Sequence, residues 1–157
     1  MKKIKIICVG DLKEKYLKEA QNEYSKRISK YFDLSIIEVS EHTSPNHNSK
    51  SEIEQNKVKE GKEILKKIKG YTIALCINGK QEDSISFAKH INSKLDLESE
   101  ITFIIGGSDG LSDEIIRDAN EKISFSKLTF PHQLMRIILL EQIYRAGTII
   151  AGKTYHK

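Results

Sequence analysis

The sequence predicts an α/β fold: a mostly parallel sheet with helices on both faces. Three observations carry that prediction. Short apolar runs alternate with amphipathic stretches along the whole chain, the pattern of strand–helix–strand units. The run 71–77, Y-T-I-A-L-C-I, is almost continuously apolar, as a strand covered on both faces must be. A glycine cluster (Gly106, Gly107, Gly110) directly follows the apolar run 101–105, where an open sheet places its ligand crevice. The 157 residues suit one domain, 1–157, and no repeat, low-complexity tract or second domain is visible.

The elements follow in order. Residues 3–9 (K-I-K-I-I-C-V) read as the first strand, closed by Gly10. Residues 12–31 read as a helix, because Leu12, Tyr16, Ala20, Tyr24, Ile28 and Tyr31 recur at spacings of three and four. Residues 34–39 form a second strand. Residues 40–48, with Pro45, two histidines and two asparagines, form a loop. Ser51 and Glu54 have capping-box spacing and open a helix that runs to Lys69, with Gly70 as its stop. The strand 71–77 ends in a turn at Asn78, Gly79 and Lys80. Residues 84–95 form a helix with Ile85, Phe87, Ala88, Ile91 and Leu95 inward. Residues 101–105 are the fourth strand. Ser112, with Asp113 and Glu114 behind it, caps a short helix through Asn120, its acids placed to suit the helix dipole. Residues 122–126 are the fifth strand.

The last helix, 131–150, places Pro131 in its first turn, where a missing N–H costs nothing. Leu134, Met135, Ile137, Ile138, Leu139, Leu140, Ile143, Ile149 and Ile150 cover most of its circumference, so more than one side must be buried. One side faces the sheet. The other is covered either by a second subunit or by the helix 12–31, and the expectation is a homodimer packed through 131–150.

Composition narrows the classes of function. Hydrophobic content of 38% and charged content of 31% describe a soluble globular chain rather than a disordered one. No apolar run approaches the roughly 20 residues of a membrane span, and the N-terminus enters a strand pattern without a cleavage site, so a cytoplasmic protein is expected. Cys8 and Cys76 fall inside apolar strands far apart and read as free thiols. The net charge of +4 permits an anionic partner such as RNA, although most lysines alternate with glutamates as on a solvated helix face.

Several site chemistries are excluded by what is missing. No G-x-x-x-x-G-K-[ST] is present, and the first strand ends on a lone glycine where a Rossmann domain would carry its cluster. A bound nucleotide would therefore be held late in the chain. His42 and His47 have no accompanying cysteines, so no metal site is expected. The segment Gly107-Ser108-Asp109-Gly110 lacks the spacing of a hydrolase elbow. His90 lies on a lysine-bearing helix and reads as surface. His132 opens the last helix, either as a structural cap or as a ligand contact, with the structural role favoured. The cluster 106–110 is by itself either a tight turn or a ligand loop. The loop 125–130 offers hydroxyls and amides just before a helix N-terminus, and the two loops are expected at the ends of neighbouring parallel strands. The tail, Gly152-Lys153-Thr154-Tyr155-His156-Lys157, is either solvated or an RNA contact. Lysines suit phosphate, Tyr155 suits a stacked base, and His156 exchanges a proton near neutral pH.

Four ordered motifs carry a resemblance: I-I-G-G-S-D-G-L (104–111), S-F-S-K-L-T-F-P-H-Q-L-M-R (124–136), E-Q-I-Y-R-A (141–146) and the terminal Y-H-K (155–157). Together with V-G-D-L-K-E-K-Y (9–16) and the total length, the chain resembles the bacterial large-subunit ribosomal RNA pseudouridine N3-methyltransferases, small members of the SPOUT class. The resemblance implies a SPOUT-type fold with a C-terminal trefoil knot, working as a homodimer with S-adenosylmethionine bound at the knot. Carried over by position, the cofactor contacts are Leu75, Gly106, Gly107 and the loop Phe125, Ser126, Lys127, Leu128, Thr129 and Phe130. Tyr155, His156 and Lys157 would reach the partner subunit's cofactor, with Arg145 near the substrate and Lys153 and Lys157 on RNA. The implied target is a pseudouridine in a hairpin loop of 23S rRNA on the assembled ribosome, with no metal and no membrane. His156 is the candidate base, with Tyr155 and Arg145 beside it. Gly147 departs from what a helix favours, at about 1 kcal/mol against Ala, and a bend before the tail is expected there. Two other classes stay open on the residues alone: a small α/β nucleotide- or flavin-binding protein, and a non-enzymatic ribosome-associated RNA-binding factor.

Overall fold

The computed structural model describes residues 1–43 and 49–157. Part of the predicted loop 40–48, including Pro45 and His47, lies outside the described residues. Five strands are described: β1 (Lys3–Val9), β2 (Asp33–Val39), β3 (Tyr71–Lys80), β4 (Glu100–Ile105) and β5 (Glu121–Ile123). They form one sheet in the order β2-β1-β4-β3-β5, and every pairing is parallel. The helices are α1 (Lys15–Ile28), α2 (Lys50–Leu65), α3 (Ser84–Leu97), α4 (Asp113–Asp118) and α5 (His132–Ile150).

Strand alternation sorts the core into two layers. Ile4, Ile6 and Cys8 of β1 join Ile101, Phe103 and Ile105 of β4 in the layer beneath α1, α3 and α5. Ile7 and Val9 join Ala74, Ile104, Ile64 of α2 and Ile115 of α4 on the opposite face. Burial pushes the Cys8 thiol up to about 12, against the pull of the nearby Arg136 cation, so it stays protonated and inert. No helix among the described residues is long and apolar enough to cross a membrane.

Helix α5 is flanked by α1 on one side and α3 on the other. Leu139, Leu140 and Ile143 are fully buried there, so much of the apolar circumference is satisfied within one chain. Leu134 near the helix start, 40% exposed, and Ile150 at its end, 41% exposed, stay open.

Local details differ from the expectations for identifiable reasons. Leu12 is buried from the segment before α1 rather than from the helix, and Tyr16 is exposed. The cap of α2 is Ser49, whose hydroxyl accepts from the Glu52 N–H, two residues ahead of the predicted box. Ile85, expected inward, is exposed in the first turn of α3. The turn predicted at Asn78-Gly79-Lys80 is instead the end of β3. The register with β5 shifts between Leu75 and Lys80, and a Cβ at Gly79 would lie 2.4 Å from the Ile123 carbonyl carbon. Strand β5 stops at Ile123; the Ser124 N–H still donates to the Lys80 carbonyl at 2.9 Å, while Ser124 Oγ donates to the Ser126 carbonyl at 2.9 Å. Pro131 precedes α5 in extended conformation rather than opening its first turn.

Helix α5 continues through Gly147 to Ile150. A Cβ there would sit 2.7 Å from Cγ of Tyr31, so glycine is what lets α5 approach the ring. Gly147→Ala should therefore destabilise the protein by about 1–2 kcal/mol, overpacking exceeding the gain in helix propensity. Urea unfolding measures this; a more stable variant would show that the Tyr31 contact has slack.

Candidate cofactor site

The carboxyl ends of β4 and β5 and the middle of β3 open into a cleft of about 760 Å³. The two predicted loops do not follow neighbouring strands, because β3 lies between β4 and β5. Leu75, Cys76 and Ile77 of β3 therefore line the cleft together with both loops. On one side stand Ile105 and the turn 106–111; on the other stand Ser124, Phe125, Ser126, Leu128, Thr129 and Phe130. Pro131, His132 and Met135 from the start of α5, and Lys57 from α2, complete the lining.

The turn is built from backbone in close approach. The Gly110 N–H donates to the Gly107 carbonyl at 3.1 Å, and Gly110 has φ +85°, a region that favours glycine. A Cβ at Gly106 would lie 2.6 Å from the Gly110 carbonyl carbon. Opposite, the Leu128 N–H donates to Ser126 Oγ at 2.9 Å, and Phe125 packs edge-on against Phe87 with ring centres 5.7 Å apart. An apolar interior edged by peptide groups and hydroxyls fits a nucleoside-sized ligand, which needs stacking area and a few fixed polar contacts. Of the cofactor residues expected from the sequence, only Lys127 stays out of the lining; its side chain is exposed. His132 borders the cleft, and its Nε2 is buried without a hydrogen-bond partner.

The structure gathers the three candidate catalytic residues into one cluster, Arg145 of α5 with Tyr155 and His156 of the tail. Arg145 Nη1 lies 3.0 Å from His156 Nδ1. A guanidinium can only donate, so Nδ1 is the acceptor and the neutral ring carries its proton on Nε2. Glu141 Oε1 accepts from Arg145 Nε at 3.0 Å, Arg145 Nη2 at 2.6 Å and the Tyr155 hydroxyl at 3.2 Å. The Glu141 hydrogen bonds raise the Arg145 pKa and keep the group charged, while burial raises that of Tyr155. The Arg145 guanidinium sits over the Tyr155 ring, 4.8 Å from its centre. Glu141, which no sequence assignment included, is thus the organiser. Its signal was the spacing of four to Arg145, acid before base. Lys153 and Lys157 are exposed, at the start and the end of the tail.

Tail and cleft share a wall. His156 borders a second cavity, about 480 Å³, with Lys80, Glu82 and Gln142. Ile123, Ser124 and Phe125 border both cavities.

His90 is not surface. Its Nδ1 is 2.7 Å from Glu82 and its Nε2 2.8 Å from Glu121, which ties α3 to the start of β5. Burial opposes its charge, but the two carboxylates outweigh it and raise its pKa above the ordinary 6.5. A raised histidine stabilises fully below 6.5, and its contribution is lost as pH rises through the folded value. Thermal unfolding should therefore show a loss of stability above that pH which His90→Gln removes; identical pH profiles would contradict the clamp. Among the described residues, no group of three or more His, Cys, Asp or Glu could hold a metal ion.

A family model described as "Predicted SPOUT methyltransferase" matches residues 1–156. The chain belongs to the SPOUT methyltransferase family. Relatives agree along the whole length. A Clostridium tetani protein named "Ribosomal RNA large subunit methyltransferase H" is 53% identical over 157 residues, covering 98% of this chain and 99% of its own. An Enterococcus faecalis protein of the same name is 49% identical over 158 residues, covering 99% of each chain. Among solved structures, a probable methylase family protein from Haemophilus influenzae Rd KW20 superposes with TM-score 0.60 at 11% identity, covering 99% of this chain and 71% of that one. A putative methyltransferase from Legionella pneumophila, in complex with bound SAM, gives TM-score 0.53 at 13% identity, covering 92% and 66%. At such identities the likeness is one of fold, and the five-stranded parallel sheet described above is that SPOUT fold.

Proposed function

We propose that this SPOUT methyltransferase transfers a methyl group from S-adenosylmethionine to N3 of a pseudouridine in a hairpin loop of 23S rRNA. It acts on the assembled ribosome, as a cytoplasmic homodimer. The observation that carries this reading is the glycine-walled cleft along β3, β4 and β5, which shares Ile123, Ser124 and Phe125 with the cavity that His156 borders. The names of the relatives, similar along their full length, support the substrate class.

The cofactor supplies an activated methyl on a sulfonium when bound. The chain supplies orientation and charge. In the proposed complex Gly106, Gly107 and the 125–130 loop hold the cofactor, with Leu75 beneath it. An N3 imide must lose its proton before or during attack, and His156 is the proposed acceptor. Its Nδ1 lone pair is directed at Arg145 in the single chain, so taking a proton requires exchanging that bond. Arg145, fixed by Glu141, then lies where it offsets the charge of the deprotonated ring.

Exposed apolar side chains on α5 support the dimer: Leu134 near its start and Ile150 at its end stay open, and Glu141 and Arg145, which hold the tail, belong to the same helix. In the dimer the tail residues Tyr155, His156 and Lys157 complete the partner's site. A chain truncated before Tyr155, mixed with a cofactor-site variant, should recover part of the activity; no recovery would place a complete site in each subunit. Lys153 and Lys157 contact RNA phosphate, so binding should weaken steeply with salt. Labelled methyl transfer from S-adenosylmethionine to ribosomes tests the function: label in rRNA is expected, and binding without transfer would make the protein a ribosome-associated factor instead.

A further inference from the structure

One carboxylate outside the cleft lining occupies the space of two missing side chains. Glu41 lies in the segment between β2 and α2. Its Oε1 accepts from the Ser108 N–H at 3.2 Å and from Ser108 Oγ at 3.0 Å. A Cβ at Gly107 would stand 3.0 Å from that same oxygen, and a Cβ at Gly10 would stand 3.3 Å from Oε2. Glycine at the ends of two neighbouring strands, β1 and β4, therefore admits the Glu41 carboxylate between them.

The carboxylate is held there from behind. The N–H of the next residue, His42, donates to Glu60 Oε2 at 2.9 Å, and Glu60 is only 5% exposed on α2. Burial, and then the like charges of Glu41 and Asp109, raise the Glu60 pKa against the His42 hydrogen bond. An acid seated among acids, and hydrogen-bonded to a turn, is placed for the turn rather than for an ion pair.

We propose that Glu41 is a positioning residue for the cofactor: by holding Ser108 it fixes the shape of the 106–110 turn that S-adenosylmethionine meets. This rests on the cofactor reading above. Glu41 touches neither cofactor nor substrate. Its effect is to keep the peptide groups of the turn preorganised, so its loss appears in cofactor affinity and not in the chemical step.

The test is calorimetric binding of S-adenosylhomocysteine to the full-length protein, with steady-state methyl transfer and thermal unfolding alongside. Glu41→Ala should raise Kd for S-adenosylhomocysteine, and KM for the cofactor, about tenfold, with kcat at saturating cofactor within twofold. Ser108→Ala, an exposed and mild change, removes the Oγ bond and keeps the N–H bond, so it should give part of the affinity loss, and the double variant should be no worse than Glu41→Ala alone. Glu41→Gln keeps an oxygen for both Ser108 donors and should restore most of the affinity. An unchanged Kd in Glu41→Ala, an equal loss in kcat, additive losses in the double variant, or a Gln variant as weak as the Ala one would each overturn the assignment. Wild-type protein that fails to bind S-adenosylhomocysteine would overturn the cofactor reading and this proposal with it. Wild-type binding with unaffected variants would overturn this proposal alone.

Discussion

Gly106→Ala should abolish detectable cofactor binding while leaving the protein folded. The methyl group has nowhere to go. Its nearest neighbours would be the Gly110 carbonyl carbon at 2.6 Å, the Gly110 oxygen at 2.8 Å and the Leu111 nitrogen at 2.9 Å, all backbone. A flexible side chain could swing aside, but a peptide group moves only if the whole turn reopens, which also breaks the Gly110 to Gly107 hydrogen bond. The turn stands at the cleft wall, so its displacement moves the surface a ligand must meet. The sheet itself does not depend on it: the β4 ladder ends at Ile105, and the surrounding core is closed by Ile104 and Ile105. Binding by calorimetry, with circular dichroism as the check on folding, separates the two effects. A folded variant that binds S-adenosylmethionine with wild-type affinity would remove the turn from the site.

His156→Ala should lower turnover on ribosomes by about 10²- to 10⁴-fold, the range expected for loss of a general base. Cofactor affinity should fall far less than turnover, because Gly106, Gly107 and the 125–130 loop, the proposed cofactor contacts, are left intact. The same substitution leaves Arg145 paired with Glu141, so the cluster survives without its proton acceptor. Single-turnover measurement under saturating cofactor isolates the chemical step. Unchanged turnover would remove His156 from the mechanism and leave Arg145 as the residue acting on the substrate ring.

Much of this architecture was legible in the sequence, and the misses have physical causes. Every strand and helix was anticipated in type and order, because burial imposes period two or 3.6 on the chain. Ends were less legible. Periodicity does not register that Ser49 caps α2 ahead of Ser51, or that β3 continues past Ile77 through a bulge. Strand order was not legible either: hydrophobic pattern says which face is buried, not which strand lies alongside, so β3 came between the two loops unforeseen. A knot is likewise a matter of threading, to which pattern is blind. The cleft residues Gly106, Gly107 and Phe125 came from glycine chemistry and motif resemblance, and the lining contains them. Glu141 was readable from its spacing to Arg145 and was overlooked. Glu41 was not readable, since 67 positions separate it from Ser108 and nothing local marks the pair. His90 failed for a similar reason: one of its two partners, Glu121, belongs to β5, 31 positions away.

The most direct measurement is nucleoside mapping. Ribosomes from cells lacking this protein would be incubated with the purified chain and methyl-labelled S-adenosylmethionine. Their 23S rRNA would then be digested and the labelled nucleoside identified by mass spectrometry. The expected result is a single labelled product, N3-methylpseudouridine, from one hairpin loop. Label confined to another nucleoside, or no label in rRNA at all, would contradict the account.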